Sequence, residues 1–165
     1  MSLFTDFSGA RFSPCERYRY ALWRIWDASK PVATFVMLNP STADEVDNDP
    51  TVERCQRRAL ALGMGGLRVA NIFAWRSTDP AALYGLDDPI GPDNDAAIVQ
   101  ACSGAGVVIC AWGTHGKLLE RGHAVSRLLM AHGVAPMCLQ VNADGTPKHP
   151  LYVGYAIQPT PYRPR

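Results

Sequence analysis

The chain has 165 residues, 47% apolar and 19% charged, with a net charge of +1. That is enough chain to bury a core without staples, and it reads most economically as one domain over residues 1–165. No run approaches membrane-spanning length, the opening MSLFTDFSGARFS lacks a signal peptide's basic-then-apolar order, and the five cysteines are scattered with no C-x-x-C pair; membrane, zinc-ribbon and iron–sulfur classes are thereby disfavoured, and a monomer of the reducing cytoplasm without metal or organic cofactor is expected.

Residues 16–39, ERYRYALWRIWDASKPVATFVMLN, divide into two arms around Asp27-Ala28-Ser29-Lys30-Pro31, which predicts an N-terminal β-hairpin. The second arm, residues 32–38, is apolar on both faces, as in a central strand covered on each side. It stops at Asn39-Pro40-Ser41-Thr42, and Asp44, Glu45, Asp47 and Asp49 then crowd together. Asp49-Pro50 predicts a helix start, with Asp49 as N-cap and a run to Gly63. Arg54, Arg57 and Arg58 on that helix fit either a phosphate-facing patch or a solvated face.

A second buried strand is expected over residues 67–73. The turn-rich AWRSTDPAALYGLDDPIGP that follows is too long for a mere connector and hints at a functional loop. Asp93-Asn94-Asp95 caps a further helix through Cys102, residues 107–112 form a third strand, residues 115–132 a long helix, and residues 136–141 a fourth strand. The closing residues, rich in Pro and Arg, look like a loose tail. The order predicts a three-layer α/β/α domain with a mainly parallel four-stranded central sheet plus the hairpin.

In such sheets ligands bind beyond the carboxyl ends of the strands. The polar residues gather there: Asn39 to Thr42 after the first strand, Asn71 at the second, Trp112-Gly113-Thr114-His115 at the third, and NADGTPKHPLYV after the fourth. Taken singly, Asn39 or Asn71 fits a buried amide tying a loop, His115 a solvated helix start, and the acids turn and capping chemistry. Convergence of four strand ends favours a pocket. The phosphate-binding G-x-x-x-x-G-K-[ST], the G-x-S-x-G elbow and the H-E-x-x-H zinc motif are all missing from the sequence.

The segments MLNPST, VANIFAWRST, VVICAWGTHGK and KHPLYV, in that order over residues 32–152, resemble the motifs of the uracil-DNA glycosylase superfamily. The whole chain also resembles a bacterial family known mainly as a domain of unknown function, through YRY, MLNPSTAD, DPT, WG and HPLY. The first resemblance implies a monofunctional DNA glycosylase that cleaves the N-glycosidic bond of a flipped-out damaged or modified pyrimidine, with single- or double-stranded DNA as partner. It implies that Asn39 orients the attacking water, Asn71 reads the base edge and His149 donates to the departing base, with Asp44 or Asp47 as a general base. The implied substrate contacts are Pro40, Ser41, Thr42, Phe73, Trp75, Arg76, Trp112, Gly113, His115 and Lys148, with Leu151 or Tyr152 as a wedge.

Two departures stand out. No aromatic residue lies between Asn39 and Asn71 to stack on a base, leaving Phe73, Trp75 or a hairpin tyrosine to do so, and the first motif lacks the acid of the most active branch. Two alternatives therefore accompany the glycosylase reading: a nucleic-acid or nucleotide binding module that has lost the chemistry, and a hydrolase of free nucleosides or nucleotides.

Overall fold

The structure, a computed structural model, describes residues 7–164. Seven strands form one sheet: β1 (Ser8–Phe12), β2 (Arg19–Ile25), β3 (Val32–Met37), β4 (Gly66–Asn71), β5 (Val107–Ala111), β6 (Met137–Cys138) and β7 (Thr160–Pro161). Their spatial order is β1-β2-β4-β3-β5-β6-β7. Pairs β3/β4, β3/β5 and β5/β6 are parallel, while β1/β2, β2/β4 and β6/β7 are antiparallel. The sheet is thus seven-stranded and mixed, in place of the expected four-stranded, mainly parallel one.

Alternation along β3 sorts the core. Ala33, Phe35 and Met37 meet Val52, Cys55 and Ala59 of helix α1 (Pro50–Ala61) on one face. Val36 meets Ile98 and Ala101 of α2 (Asn94–Cys102) and Val125 and Leu129 of α3 (Arg121–Ala131) on the other. Thr34 on that second face gives its hydroxyl to the Ala101 carbonyl at 2.6 Å.

The expected hairpin over residues 16–39 does not form. β4 inserts between its arms, and β2 instead pairs with β1. The reason is burial: β3 is covered on both faces and needs a partner on each edge, and β4 and β5 supply more buried surface than a two-stranded arm would. The tail is not loose either, since β7 joins β6 and Tyr162 packs edge-on against Trp112 at 5.8 Å.

Pairing slips by one residue at Arg11/Phe12, so that Arg19 lies opposite Phe12 and Ala21 opposite Arg11. This bulge brings Arg19 to the same side as Arg24. Arg19 donates to the Ala43 carbonyl at 3.0 Å, and Arg24 donates to the carbonyls of Asp44 (2.6 Å) and Asp47 (3.3 Å) and to the Asn48 side chain (3.0 Å).

Asp49 caps α1 as expected, accepting from the Val52 amide at 2.8 Å and also from the Ala43 amide at 3.3 Å. Gly63, at φ +76, closes that helix in the left-handed conformation glycine favours. The long helix expected over 115–132 is broken. Residues Thr114–Glu120 form a short 3-10 segment, Leu119 and Glu120 take φ near +55 and +53, and α3 begins at Arg121. Trp112 explains the break, because both Gly116 and Gly122 press their backbones on its ring. A Cβ on Gly116 would sit 2.2 Å from the indole.

Replacing Asp49 by Ala removes both acceptor bonds at the start of α1. Unfolding free energy is expected to fall by about 1–2 kcal/mol, read by urea denaturation; an unchanged midpoint would show the cap to be dispensable.

Candidate functional site

A cavity of about 730 Å³ opens where β3 and β5 and the segment after β6 reach their carboxyl ends. Leu38, Asn39 and Ser41 enter it from the end of β3, and Thr51 from the first turn of α1. Ser77, Thr78 and Pro80 come from the turn-rich segment after β4, and Trp112 to His115 from the end of β5. Asn142, Asp144, Lys148, His149, Leu151 and Tyr152 complete it.

Asn39 donates its amide nitrogen to the carbonyls of Ser77 (2.8 Å) and Pro40 (3.2 Å). Because both neighbours are acceptors, the nitrogen must face them, and the amide oxygen is left as an acceptor for a ligand or water.

His149 accepts the Leu151 amide on Nδ1 at 3.3 Å, capping the 3-10 turn Pro150–Tyr152. In the neutral ring that bond places the proton on Nε2, leaving a donor. Burial lowers the His149 pKa to about 4, against the opposing pull of Asp49, so the imidazole is neutral near pH 7.

Asp144 is the cavity's carboxylate. It accepts from the hydroxyls of Thr114 (2.6 Å) and Thr146 (2.5 Å) and from the Thr146 amide (3.0 Å), and pairs with Lys117 at 3.1 Å. The Thr114 and Thr146 bonds hold its pKa well below the usual carboxylate range. With four donors on two oxygens it is a fixed negative charge rather than a base. Gly113, at φ +75 and ψ −170, gives its amide to the Pro147 carbonyl at 2.8 Å and so ties the end of β5 to this segment.

Several expected residues lie elsewhere. Asn71 is 2% exposed, its side-chain oxygen accepting from Arg19 at 3.3 Å and its carbonyl from Asn94 at 2.7 Å, so it reads no base from inside the packed core. Asp44 accepts from the amides of Val46 and Asp47 in its own turn and Asp47 is exposed; neither lines the cavity, so neither is placed to act as general base. Phe73 is buried, Trp75 packs edge-on against Tyr18 at 5.6 Å, and Arg76 lies over Phe12 at 4.7 Å. Pro40 is buried and Thr42 points away at the surface. The expected contacts Ser41, Trp112, Gly113, His115, Lys148, Leu151 and Tyr152 do border the cavity with Asn39 and His149.

Reading the sequence missed Thr51, Ser77, Thr78, Asn142 and Asp144. The length of the segment after β4 was a signal for Ser77 and Thr78. The Asn-Ala-Asp-Gly-Thr turn was one for Asp144, whose side chain bonds its own backbone two residues on.

The α1 arginines are neither a phosphate patch nor a solvated row. Arg54 donates to the carbonyls of Pro150 (2.9 Å) and Val153 (2.7 Å). Arg58 donates to those of Val153 (3.1 Å), Gly154 (3.0 Å) and Ile157 (2.9 Å). Tyr155 covers both guanidinium groups, at 4.4 and 5.4 Å from its ring centre. This clamp fixes the segment that carries His149. Only Arg57 keeps a surface role, paired with Glu53 at 3.1 Å.

Residues 19–151 match the family described as "Protein of unknown function (DUF1643)". The chain belongs to that family. No curated protein and no solved structure matches it. Among the described residues of this DUF1643 protein, no group of three or more His, Cys, Asp or Glu is placed to hold a metal ion. No helix among them is long and apolar enough to cross a membrane.

Two outcomes are expected. The His149 ring signals in an NMR titration should move with a midpoint near 4 rather than near 6.5. Because the folded pKa is depressed, the unfolded chain takes up this proton first, so His149 lowers stability progressively as pH falls from 6.5 toward 4 and costs nothing above that window. A midpoint at the ordinary value would mean that the ring is not desolvated. Separately, Arg58→Met should orphan carbonyls at a cost of about 2 kcal/mol or more and speed amide exchange in residues 150–157; uniform protection there would dismiss the clamp.

Proposed function

We propose that this protein is a hydrolase of N-glycosidic bonds that releases a damaged or modified pyrimidine flipped out of DNA. One observation carries the reading: a single cavity holds both the free amide oxygen of Asn39 and the neutral His149 ring with its donor at Nε2. The strand–helix order, with helices on both faces of the sheet, supports the resemblance to uracil-DNA glycosylases.

Breaking the bond leaves positive charge on the sugar and negative charge on the base. His149 Nε2–H donates to a base oxygen as that charge grows. Asn39 Oδ1 accepts a hydrogen bond from the water that attacks the sugar carbon and orients it, though an amide removes no proton. Asp144 supplies fixed negative potential toward the cationic sugar. Leu151 and Tyr152, 39% and 73% exposed at the cavity's edge, are the groups to fill the gap left by a flipped nucleotide, an extrusion costing a few kcal/mol. In this reading the protein works as a monomer in the reducing cytoplasm, its five cysteines free.

A specific observation favours a second reading. Arg54 and Arg58 are consumed by carbonyls, so the arginines nearest the His149 segment do not wait for phosphates. A free nucleoside or nucleotide as substrate, or a binding module without chemistry, fits that economy of cations. Binding that weakens steeply with salt distinguishes DNA from either small ligand.

The test is incubation with DNAs carrying uracil, mismatched and modified bases, scored for abasic sites. Release by the wild type should fall by on the order of 10²-fold or more in Asn39→Ala with the circular dichroism spectrum unchanged. Undiminished release by that variant would refute the assignment of Asn39.

A further inference from the structure

The cavity is larger, and its walls smaller and more polar, than an unadorned pyrimidine requires. A pyrimidine ring takes roughly the liquid volume of four waters, about 120 Å³, against a cavity of about 730 Å³. Deoxyribose about doubles the ligand and still leaves most of that space unfilled. No aromatic ring closes the wall beside Asn39: Phe73 is in the core, Trp75 is against Tyr18, and Trp112 is 2% exposed. Ser41, Thr51 and Thr78 stand in that space instead, and their hydroxyls have no hydrogen-bond partner among the described residues.

Charge narrows the choice. Lys117 is paired with Asp144, and that carboxylate lies in the same cavity, so Lys148 is the lining lysine without an ion pair among the described residues. An anionic group would meet one free cation and one fixed anion. An apolar group would strand the hydroxyls. A neutral group rich in hydroxyls satisfies them, each partner both giving and accepting.

We propose that the cavity takes a pyrimidine nucleotide whose base carries a bulky, neutral, polyhydroxylated substituent, such as a sugar, held by Ser41, Thr51 and Thr78. This rests on the pyrimidine reading of the site and names its substrate class.

The test is calorimetric titration of the whole protein with three free nucleosides: 5-methyl-2′-deoxycytidine, the 5-carboxy compound, and glucosylated 5-hydroxymethyl-2′-deoxycytidine. The glucosylated nucleoside is expected to bind at least about tenfold more tightly than the others, and Thr78→Val, which keeps the shape and removes the hydroxyl, should reduce that advantage several-fold. Equal affinities, tighter binding of the methyl or carboxy compound, or no binding of any of the three overturns the proposal. Abasic-site scoring on matching DNAs judges the hydrolase reading separately. Release of uracil with no glucosyl preference in binding leaves that reading standing and this one fallen. Selective binding without base release does the reverse.

Discussion

The two segments that frame the cavity, residues 43–48 and 150–157, have no strand to satisfy their carbonyls, and buried arginines satisfy them instead. Arg19 and Arg24 reach the first from β2, and Arg54 and Arg58 reach the second from α1. None of the four forms an ion pair among the described residues. A guanidinium is weakly hydrated and carries five donors in a plane, so several carbonyl dipoles can replace its water where a single carboxylate could not. The desolvation is still felt, since burial lowers the Arg19 pKa to about 10 and Arg19 and Arg58 each keep an Nε without a partner. The outcome is a rigid frame made from irregular chain.

That frame governs the chemistry. Asn39 leaves β3 just before the first clamped segment, and His149 stands just before the second, so fixing the two segments fixes the distance across the cavity. Both groups are neutral and each is already bonded to backbone, which defines the acceptor of one and the donor of the other before a ligand arrives. Asp144, held by Thr114, Thr146 and Lys117, adds a charge that does not titrate in the physiological range. Such a set stabilises charge separation and contains no strong base, which suits a bond whose leaving group departs early.

The bulge in β2 shows how closely fold and site are joined. Without the slip at Arg11/Phe12, strict alternation would send Arg19 to the face opposite Arg24. Asn71 would then lose its guanidinium partner and the turn after Asn39 would lose one of its anchors.

Local signals in the chain were sufficient for the central strands, the Asp49-Pro50 cap and the gathering of polar residues at strand ends, because apolar runs, caps and turns are written in neighbouring residues. They were also sufficient to place Asn39, His149 and the WG segment beside one another by resemblance. Tertiary structure alone decided that β4 divides β2 from β3, that Trp112 breaks the expected long helix, and that Asn71 is sealed inside while Asp144 is not. It alone turned Arg54 and Arg58 from surface charges into clamps. The physical reason is common to all of these: partners some 50 to 100 residues apart, such as Arg19 with Asn71 and Arg58 with Gly154, meet only once the sheet has assembled, and no local periodicity records which polar side chain will find its partner within the protein and which will be left for a ligand.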